Sequence, residues 1–333
     1  AMLRSLVGSE MCIRDRPNGD IVNTGGRTKK TSAGYNLTNL FIGSEGTLAT
    51  FKNIELYLQQ IPQHKVMGVC HFPTFYAAMD AAQHLVKLGP VAVELIDRTM
   101  IELARNIPIF KSTIDSFVKG EPDAVLLVEF SGDELGSLKE KLQELDTMMS
   151  DLGYPKAIIE AIDPVFQGKI TEVRQQGLNI MMSMKTSGKP VSFIEDCAVP
   201  LENLAEYTHR LTEVFKKYGT DGTWYAHASV GCLHVRPVLD MKKGEDVKKM
   251  RAIAEEAFEM VREYKGSHSG EHGDGIVRSE FHEKMYGDSL VKAFSEIKGL
   301  FDPKGLLNPG RIVDPPKMDD RSLFRYNPNY RAT

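Results

Sequence analysis

The residues of this chain with the clearest capacity for chemistry are two histidines in the stretch WYAHASVGCLHVRP, residues 224–237. His227 and His234 are seven positions apart, so one continuous strand would point them to opposite faces. A single helix would separate them by about 10.5 Å along its axis. A turn or bulge at residues 229–231 would instead fold one strand back toward the other and allow the two imidazoles to share a partner.

A second histidine-rich stretch, GSHSGEHGDGIVR, covers residues 266–278 and contains Glu271 and His272 between two glycines. Glycines at this density allow the backbone to approach a ligand or to adopt positive φ. Two imidazoles and one carboxylate suit a divalent metal and leave positions open for a substrate. We therefore expect His227, His234 and Glu271 to share one ion. The alternative is that the histidines only form hydrogen bonds in a strand pair, which is commoner for two arbitrary histidines.

Two basic residues are candidates for binding an anion. Arg174 lies in a predicted helix with an apolar stripe, and Lys189 lies at the start of a predicted strand. An arginine can bind a carboxylate through two parallel hydrogen bonds. From the residues alone, however, both side chains are typical of solvated surface charges. The glycine-rich stretch IGSEGTLATF, residues 42–51, has neither a Walker nor a Rossmann spacing and alone indicates a connecting loop.

The composition is that of a globular protein without a dominant charge. The chain has 333 residues, enough for roughly two domains, with 42% hydrophobic residues, 26% charged residues and a net charge of -4. The interleaved charges give no reason to expect nucleic acid or an anionic membrane surface as a partner, and no apolar run is long enough to span a bilayer. The sequence predicts a cytoplasmic protein, with peripheral attachment to the inner face of the membrane as the alternative.

The cysteines argue against a disulfide framework. They lie at positions 12, 70, 197 and 232 and form no CxxC pair. A thiolate zinc site is therefore not expected, and a reducing compartment is favoured. Because no four cysteines are closely spaced, we expect no ordinary iron–sulfur cluster within this chain.

Regular elements begin at about residue 66 and alternate between strands and helices. Strands are predicted at 66–73, 91–96, 123–130, 156–161, 191–199, 223–228 and 232–239, and helices at 74–89, 132–153, 164–184, 201–219 and 244–266. This order predicts an α+β fold with an antiparallel sheet and helices packed on one face.

Five motifs in a fixed order give the chain a family resemblance. They are TSAGYNLTNLFIGSEGTLATF, SGKPVSFIEDCAVP, HASVGCLHVRP, GSHSGEHGDGIVRSEF and FDPKGLLNPGRIV. Together they resemble the FAD-linked oxidases of the vanillyl-alcohol oxidase type. Within that family the chain is most similar to the D-lactate and D-2-hydroxyglutarate dehydrogenase branch, whose long forms are fused to an iron–sulfur domain.

The resemblance implies the C-terminal part of a PCMH-type FAD-binding domain, followed by a cap domain that holds the substrate. Residues 17–65 would be the remnant of the FAD domain, residues 66–290 the cap domain, and residues 291–313 the segment that returns to the flavin. Residues 1–16 match nothing in the family and are predicted to be foreign to the domain that begins after them. Residues 314–333 would be a tail or a linker to an iron–sulfur domain outside this chain. The chain is thus interpreted as an internal fragment of a longer enzyme.

The resemblance also implies roles for the histidine-rich stretches. The family places a metal on the two histidines of an H-x6-H stretch and on the glutamate of an E-H-G stretch, here His227, His234 and Glu271. Zinc is the expected ion, and His272 would be the catalytic base. Short-form relatives usually read H-x-G-D-G-N-x-H, whereas Cys232 here replaces the amide, so the surroundings of the metal differ.

The remaining implied roles concern the substrate and the flavin. Arg174 and Lys189, which keep the family interval of fifteen positions, would bind the substrate carboxylate. The dinucleotide would lie near one loop, and one asparagine near the flavin ring: Gly43, Ser44, Glu45, Gly46, Thr47 and Asn308.

The implied reaction is oxidation of a D-2-hydroxy acid, namely D-lactate, D-2-hydroxyglutarate or glycolate, to the 2-oxo acid, with metal assistance and hydride transfer to FAD. Electrons would pass to a quinone, a cytochrome or an electron-transfer flavoprotein. One alternative is an inactive metal-binding cap fragment that lacks most of the FAD site. Another is a related FAD enzyme of the alkyl-glycerone-phosphate synthase type.

Overall fold

A computed structural model describes residues 10–14, 21–26, 28, 31–56 and 58–325. The strands are β1 (Glu10–Arg14), β2 (Ile21–Thr24), β3 (Thr50–Glu55), β4 (His64–Phe72), β5 (Ala92–Asp97), β6 (Ala124–Gly132), β7 (Ile158–Ala161), β8 (Lys189–Pro190), β9 (Cys197–Ala198), β10 (Gly222–His227) and β11 (Cys232–Leu239). The helices are α1 (Leu37–Phe41), α2 (Phe75–Leu85), α3 (Arg98–Arg105), α4 (Pro108–Phe117), α5 (Leu135–Asp151), α6 (Pro164–Gln175), α7 (Gly177–Met182), α8 (Leu204–Lys217), α9 (Gly244–Glu263), α10 (Gly275–Arg278), α11 (His282–Tyr286) and α12 (Asp288–Phe301). The chain divides into two compact units, one from residues 1–61 and 272–320 and the other from residues 62–271 and 321–333.

The larger unit is built on one antiparallel sheet. Its strand order is β7-β4-β6-β5-β10-β11-β8, and β9 also pairs with β11. These pairs are all antiparallel. The prediction of an α+β fold with an antiparallel sheet is therefore confirmed.

Helices cover both faces of the central strands, whereas the sequence pattern predicts them on one. Met67 and Val69 of β4 belong to a buried cluster that includes Ile170 of α6 and also contains residues of α3, α4 and α7. Gly68 points to the other face, because successive strand residues alternate. A Cβ on Gly68 would lie 2.5 Å from Leu145 of α5. This double cover explains why β4 and β6 are buried over nearly their whole length.

The sequence pattern did not predict the two helices between β5 and β6, α3 and α4. In the connection between β5 and β6, Asp97 caps α3 by accepting a hydrogen bond from the amide of Met100 at 2.8 Å. Pro108 begins α4, where its missing N–H is not needed. The connection is therefore helical because it carries two ordinary helix-start signals.

Two predicted elements are broken in the structure. Of the strand expected at 191–199 only β9 is formed, and β8 lies just before that range. Asp196, directly before β9, has φ +81°, which an extended strand does not allow. The helix expected at 164–184 is two helices, α6 and α7, which separate at Gln176. Gly177 follows that break, and an added Cβ there would lie 3.0 Å from the side chain of Met100.

The turn between β10 and β11 depends on Gly231, which has φ +67° and whose added Cβ would lie 2.1 Å from the carbonyl oxygen of Val199. We expect Gly231→Ala to lower the free energy of unfolding by more than about 3 kcal/mol, because left-handed strain and a backbone clash add. Gly120→Ala is the matched control, since Gly120 has the same φ of +67° but open space around its Cβ position. The control should lose only about 1–2 kcal/mol. Equal losses in urea unfolding would contradict the tight contact at Gly231.

The smaller unit contains a three-stranded antiparallel sheet in the order β2-β1-β3. Its apolar cluster joins α1 to α12 through Phe41 and Phe301, whose rings meet edge to face with centroids 5.4 Å apart. Residues 10–14, which fall in the segment predicted to be foreign, form the central strand of this sheet. The origin of that segment and the predicted domain roles stay predictions.

The longest described helix, α9, has 20 residues and carries charges along its length. Among the described residues, no helix combines the length and the apolar character that a membrane span requires.

Candidate metal and substrate site

The hairpin of β10 and β11 places the two histidines on one face of the sheet. Residues 228–230 form a single helical turn and Gly231 reverses the chain in a left-handed conformation, as the expected turn at 229–231 requires. Tyr225 pairs directly with His234, and His227 lies two residues beyond Tyr225 on the same strand. Because residues i and i+2 of a strand share a face, the imidazoles become neighbours, and their ring centroids are 4.8 Å apart.

Glu271 brings a carboxylate to both imidazoles. Its Oε1 lies 3.1 Å from Nε2 of His227 and 3.2 Å from Nε2 of His234. Ligand atoms of a tetrahedral zinc with bonds of about 2.0–2.1 Å are separated by about 3.3–3.4 Å, so both spacings suit one small divalent ion. The side chain of His234 is 2% exposed and that of Glu271 is 44% exposed, which leaves the group one accessible side. The three predicted ligands therefore meet at the carboxylate of Glu271, and two imidazoles with one carboxylate are donors of the kind that zinc takes. That they share one ion stays a prediction.

Asp196 holds the backbone that presents Glu271. Its two carboxylate oxygens each accept a hydrogen bond from the amide of Glu271 at 3.0 Å, and its carbonyl accepts one from Gly270 at 2.8 Å. Asp196 is fully buried in a left-handed conformation, φ +81°. Such a conformation costs of order 1–3 kcal/mol, and the bonds to the segment before and at Glu271 offset it.

A second set of donors overlaps the first. Asp196, Cys232, His234 and Glu271 each offer an atom within 4.8 Å of the others. However, burial and then the nearby charge of Asp196 raise the pKa of the Cys232 thiol, whose Sγ lies 3.4 Å from Oδ1 of Asp196 as a hydrogen-bond donor. The carboxylate of Asp196 already serves the Glu271 amide. His227 faces Glu271 through Nε2 at 3.1 Å, and its place as the third ligand stays a prediction.

Glu94 of β5 supports His227 from behind. The two residues are paired in register, and the carboxylate oxygens of Glu94 lie 2.9 and 3.0 Å from Nδ1 of His227. Arg174 donates to the same carboxylate at 2.7 Å, and its guanidinium lies 5.0 Å from the centre of the Tyr225 ring. Burial lowers the pKa of His227, but the hydrogen bond and charge of Glu94, with the charge of Glu271, outweigh it and raise the pKa above its ordinary value.

A second arginine–glutamate pair lies beside His234. Arg236 contacts buried Glu195 through Nε at 2.6 Å and Nη2 at 2.7 Å. Although burial raises the pKa of Glu195, the bond to Arg236 outweighs it and the pKa is lowered. Tyr225 donates to Glu195 at 3.3 Å, and burial followed by the charge of Glu195 raises the pKa of Tyr225 to about 12. The site is thus lined by two ion pairs, Arg174–Glu94 and Arg236–Glu195, and the neutral phenol of Tyr225 lies between the two arginines.

The two bases predicted to bind the substrate have different surroundings. Arg174 contacts Glu94, and Glu94 in turn contacts His227. Lys189 donates to the carbonyl oxygen of Met182 at 3.4 Å and to that of Met184, next to the end of α7. Joint binding of one carboxylate by Arg174 and Lys189 stays a prediction.

In the smaller unit, the predicted flavin-binding residues form a tight loop after α1. Gly43 and Gly46 have φ of +78° and +70°, and the amide of Thr47 donates to the carbonyl of Ser44 at 2.9 Å. The backbone carbonyl of Glu45 accepts a bond from the side-chain amide of Asn308 at 2.6 Å. The loop and the asparagine, which are distant in sequence, are therefore neighbours.

The carboxylate of Glu45 accepts hydrogen bonds from two backbone amides of the segment after His272, those of Asp274 and Gly275, the latter at 2.9 Å. Gly273 lies so close to Glu45 that a Cβ would be 2.8 Å from its Oε1. His272 directly precedes this anchored segment, directly follows Glu271, and has an exposed side chain. Its role as a base stays a prediction.

Four charged residues of the histidine site were not predicted from the sequence. They are Glu94, Glu195, Asp196 and Arg236. The available signal was a charged residue inside an apolar strand pattern, as in VAVELI and VSFIEDCAV, and an arginine two positions after a candidate ligand on the same strand. Single charges of this kind predict an inward-facing pair only when the facing strand is known.

The fold is that of p-cresol methylhydroxylase, which the chain matches with a TM-score of 0.67 at 14% identity over 92% of this chain and 65% of that chain. A 4-ethylphenol oxidase from Gulosibacter chungangensis matches with a TM-score of 0.64 at 12% identity, over 93% and 66%. Residues 61–312 match the C-terminal domain of FAD linked oxidases, and the chain belongs to this family.

Several curated relatives have dehydrogenase or oxidase names. The chain is 31% identical over 281 residues to D-2-hydroxyglutarate dehydrogenase of Haemophilus influenzae, covering 80% of this chain and 27% of that protein. It is 31% identical over 288 residues to a mitochondrial D-lactate dehydrogenase [cytochrome] of Arabidopsis thaliana, covering 86% and 49%. It is 27% identical over 287 residues to a glycolate oxidase subunit of Bacillus subtilis, covering 86% and 58%. The chain thus spans between about a quarter and three fifths of the length of these relatives.

Proposed function

We propose that this chain provides the substrate-binding part of a FAD-dependent dehydrogenase that oxidises a D-2-hydroxy acid to the 2-oxo acid. Membership of the FAD-linked oxidase family supports the flavin. The relatives are named for D-2-hydroxyglutarate, D-lactate and glycolate, and these names support a 2-hydroxy acid as the substrate. The whole reaction is assigned to the longer protein type that these relatives represent.

The observation that carries the proposal is the convergence of His227, His234 and Glu271 next to Arg174. Oε1 of Glu271 lies within 3.2 Å of an Nε2 atom of both imidazoles, and Arg174 is connected to His227 through Glu94. A 2-hydroxy acid has a hydroxyl and a carboxylate on adjacent carbons. A metal site and a guanidinium side by side match those two groups.

In this proposal, His227, His234 and Glu271 hold a divalent ion, zinc by preference. When bound, such an ion supplies Lewis-acid polarisation of the substrate hydroxyl. Arg174, with Lys189, binds the substrate carboxylate and orients the Cα–H bond. His272 accepts the hydroxyl proton, for which an imidazole is suited near neutral pH.

FAD, when bound, would supply the redox chemistry as the acceptor of the hydride from Cα. In the smaller unit, residues Gly43, Ser44, Glu45, Gly46, Thr47 and Asn308 are proposed to face the dinucleotide. Residues 17–65 would then be the end of the FAD domain, 66–290 the substrate domain and 291–313 the segment returning to the flavin. The electron acceptor is proposed to be a quinone, a cytochrome or an electron-transfer flavoprotein. An iron–sulfur domain is proposed to follow residues 314–333.

Anaerobic mixing with substrate tests the proposal. The zinc-loaded chain is first incubated with FAD, and bound flavin is separated from free flavin. We expect D-lactate or D-2-hydroxyglutarate to bleach the bound flavin at least about tenfold faster than the L enantiomer, and glycolate is tested in parallel. The 2-oxo acid should form in equal amount. Bound flavin that no 2-hydroxy acid reduces would contradict the proposal.

The alternative, a metal-binding cap fragment that is inactive by itself, predicts a different outcome of the same experiment. It is favoured by one observation: the three candidate metal ligands all lie in the larger unit, and the predicted flavin residues lie in the smaller one. A colourless protein that retains stoichiometric zinc after incubation with FAD would support the fragment.

A further inference from the structure

We propose that Glu94 is a positioning residue of the metal site, which fixes the ring orientation and the tautomer of His227. The inference rests on the metal site of the proposed function. Glu94 lies on β5 and is paired in register with His227 on β10. The strand order of the sheet therefore brings them together although they are 133 positions apart in sequence.

The contacts define which nitrogen of His227 carries the proton. Both oxygens of Glu94 lie within 3.0 Å of Nδ1. An ionised carboxylate can only accept a hydrogen bond, so Nδ1–H must donate. In the neutral ring, the lone pair then lies on Nε2, which is the atom that faces Glu271 at 3.1 Å. A metal-bound imidazole requires this tautomer, because the ligating nitrogen must be unprotonated.

The position of Glu94 is itself fixed from the other side. Arg174 contacts Oε2 of Glu94 at 2.7 Å, and the two side chains are 15% and 14% exposed. The contact with the guanidinium restricts the rotation of the Glu94 carboxylate and keeps its oxygens directed at Nδ1 of His227. Arg174 also lies over the ring of Tyr225. Arg174, at one end of the row Arg174–Glu94–His227, therefore packs on Tyr225. Tyr225 lies on β10, the strand that also carries His227.

Nδ1 of His234 lies farther from Oε1 of Glu195 than Nδ1 of His227 lies from Oε1 of Glu94. The two separations are 3.9 Å and 2.9 Å, and the side chain of His234 is 2% exposed. His227, at 15% exposure, is the ligand with more room to rotate. Of the two outer carboxylates, Glu94 and Glu195, Glu94 should therefore be the one whose loss weakens metal binding more.

Zinc affinity of the full chain, measured by competition with a fluorescent chelator, tests this role. We expect Glu94→Gln to weaken zinc binding by about 10–100-fold, because the amide keeps the shape but not the charge of the acceptor. The matched control is Glu129→Gln. Glu129 lies on the neighbouring strand β6 and forms an ion pair with Lys65 at 2.9 Å, away from the histidines. The control should bind zinc within about twofold of the unaltered chain.

A second measurement does not require a variant to fold. In the metal-free, unaltered chain, nitrogen NMR of the histidine rings at high pH should show His227 protonated at Nδ1 and unprotonated at Nε2. The opposite tautomer, or a zinc affinity of Glu94→Gln equal to that of Glu129→Gln, would overturn the role of Glu94 while leaving the metal site intact. If the unaltered chain itself binds no zinc, the metal part of the proposed function fails and this inference fails with it.

Discussion

His272→Ala is expected to slow flavin reduction by a D-2-hydroxy acid by about 10²–10⁴-fold, the usual contribution of a positioned acid–base group. The proposed role of His272 is to accept the hydroxyl proton as hydride leaves the carbon. Its side chain is exposed, so the substitution should not disturb a packed core. Zinc content and flavin binding should remain as in the unaltered protein.

Anaerobic rapid mixing of the flavin-loaded protein with saturating substrate measures this rate directly. His209→Ala is the control, because His209 is also exposed and lies on α8, where it contacts Tyr76. The control should reduce flavin at the unaltered rate. A full rate in His272→Ala would remove His272 from the mechanism without affecting the assignment of the metal ligands.

Zinc binding should fall by more than about 100-fold when Glu271 is changed to glutamine, a larger loss than that expected for an outer partner. Glu271 is the residue whose carboxylate contacts both imidazoles. Its side chain is 44% exposed, so the variant is expected to fold. His234→Ala should lose zinc to a similar extent, but it also leaves a cavity, because His234 is only 2% exposed.

Equilibrium dialysis with zinc, followed by metal analysis, distinguishes lost ligands from general damage. His71→Ala is the control for the histidine. His71 lies on β4, where its Nδ1 is 3.0 Å from the carbonyl oxygen of Ala157 and its Nε2 accepts a hydrogen bond from the amide of Lys119 at 3.1 Å. It should keep stoichiometric zinc. Stoichiometric, tightly held zinc in both Glu271→Gln and His234→Ala would show that the ion binds elsewhere.

The meeting of the two histidines could be predicted from sequence because the information is local. The odd spacing of His227 and His234 is incompatible with a shared face on one strand, and a glycine near the middle supplies the reversal. The antiparallel sheet was predictable for the same reason, since apolar runs and helix periodicity are local signals. Glu271 was found through its glycine-flanked motif and the family resemblance.

The partner of His227 could not be predicted in this way. Glu94 reaches that histidine only because β5 lies next to β10, and no local pattern encodes the order of strands in a sheet. The role of Asp196 could not be predicted for a different reason. Its left-handed conformation interrupts an apolar run that has every feature of a strand. The contacts that could not be predicted are therefore those set by topology and by strained backbone.

Asp196 accepts hydrogen bonds from the backbone amides of residues 270 and 271, and these bonds have an implication for protein engineering. These bonds fix the backbone position of residue 271. They involve only its amide and not its side chain. Aspartate, histidine or cysteine could be installed at that position without rebuilding the loop. A single substitution at position 271 should then change which cations the site prefers, from hard to soft, while the rest of the protein stays the same.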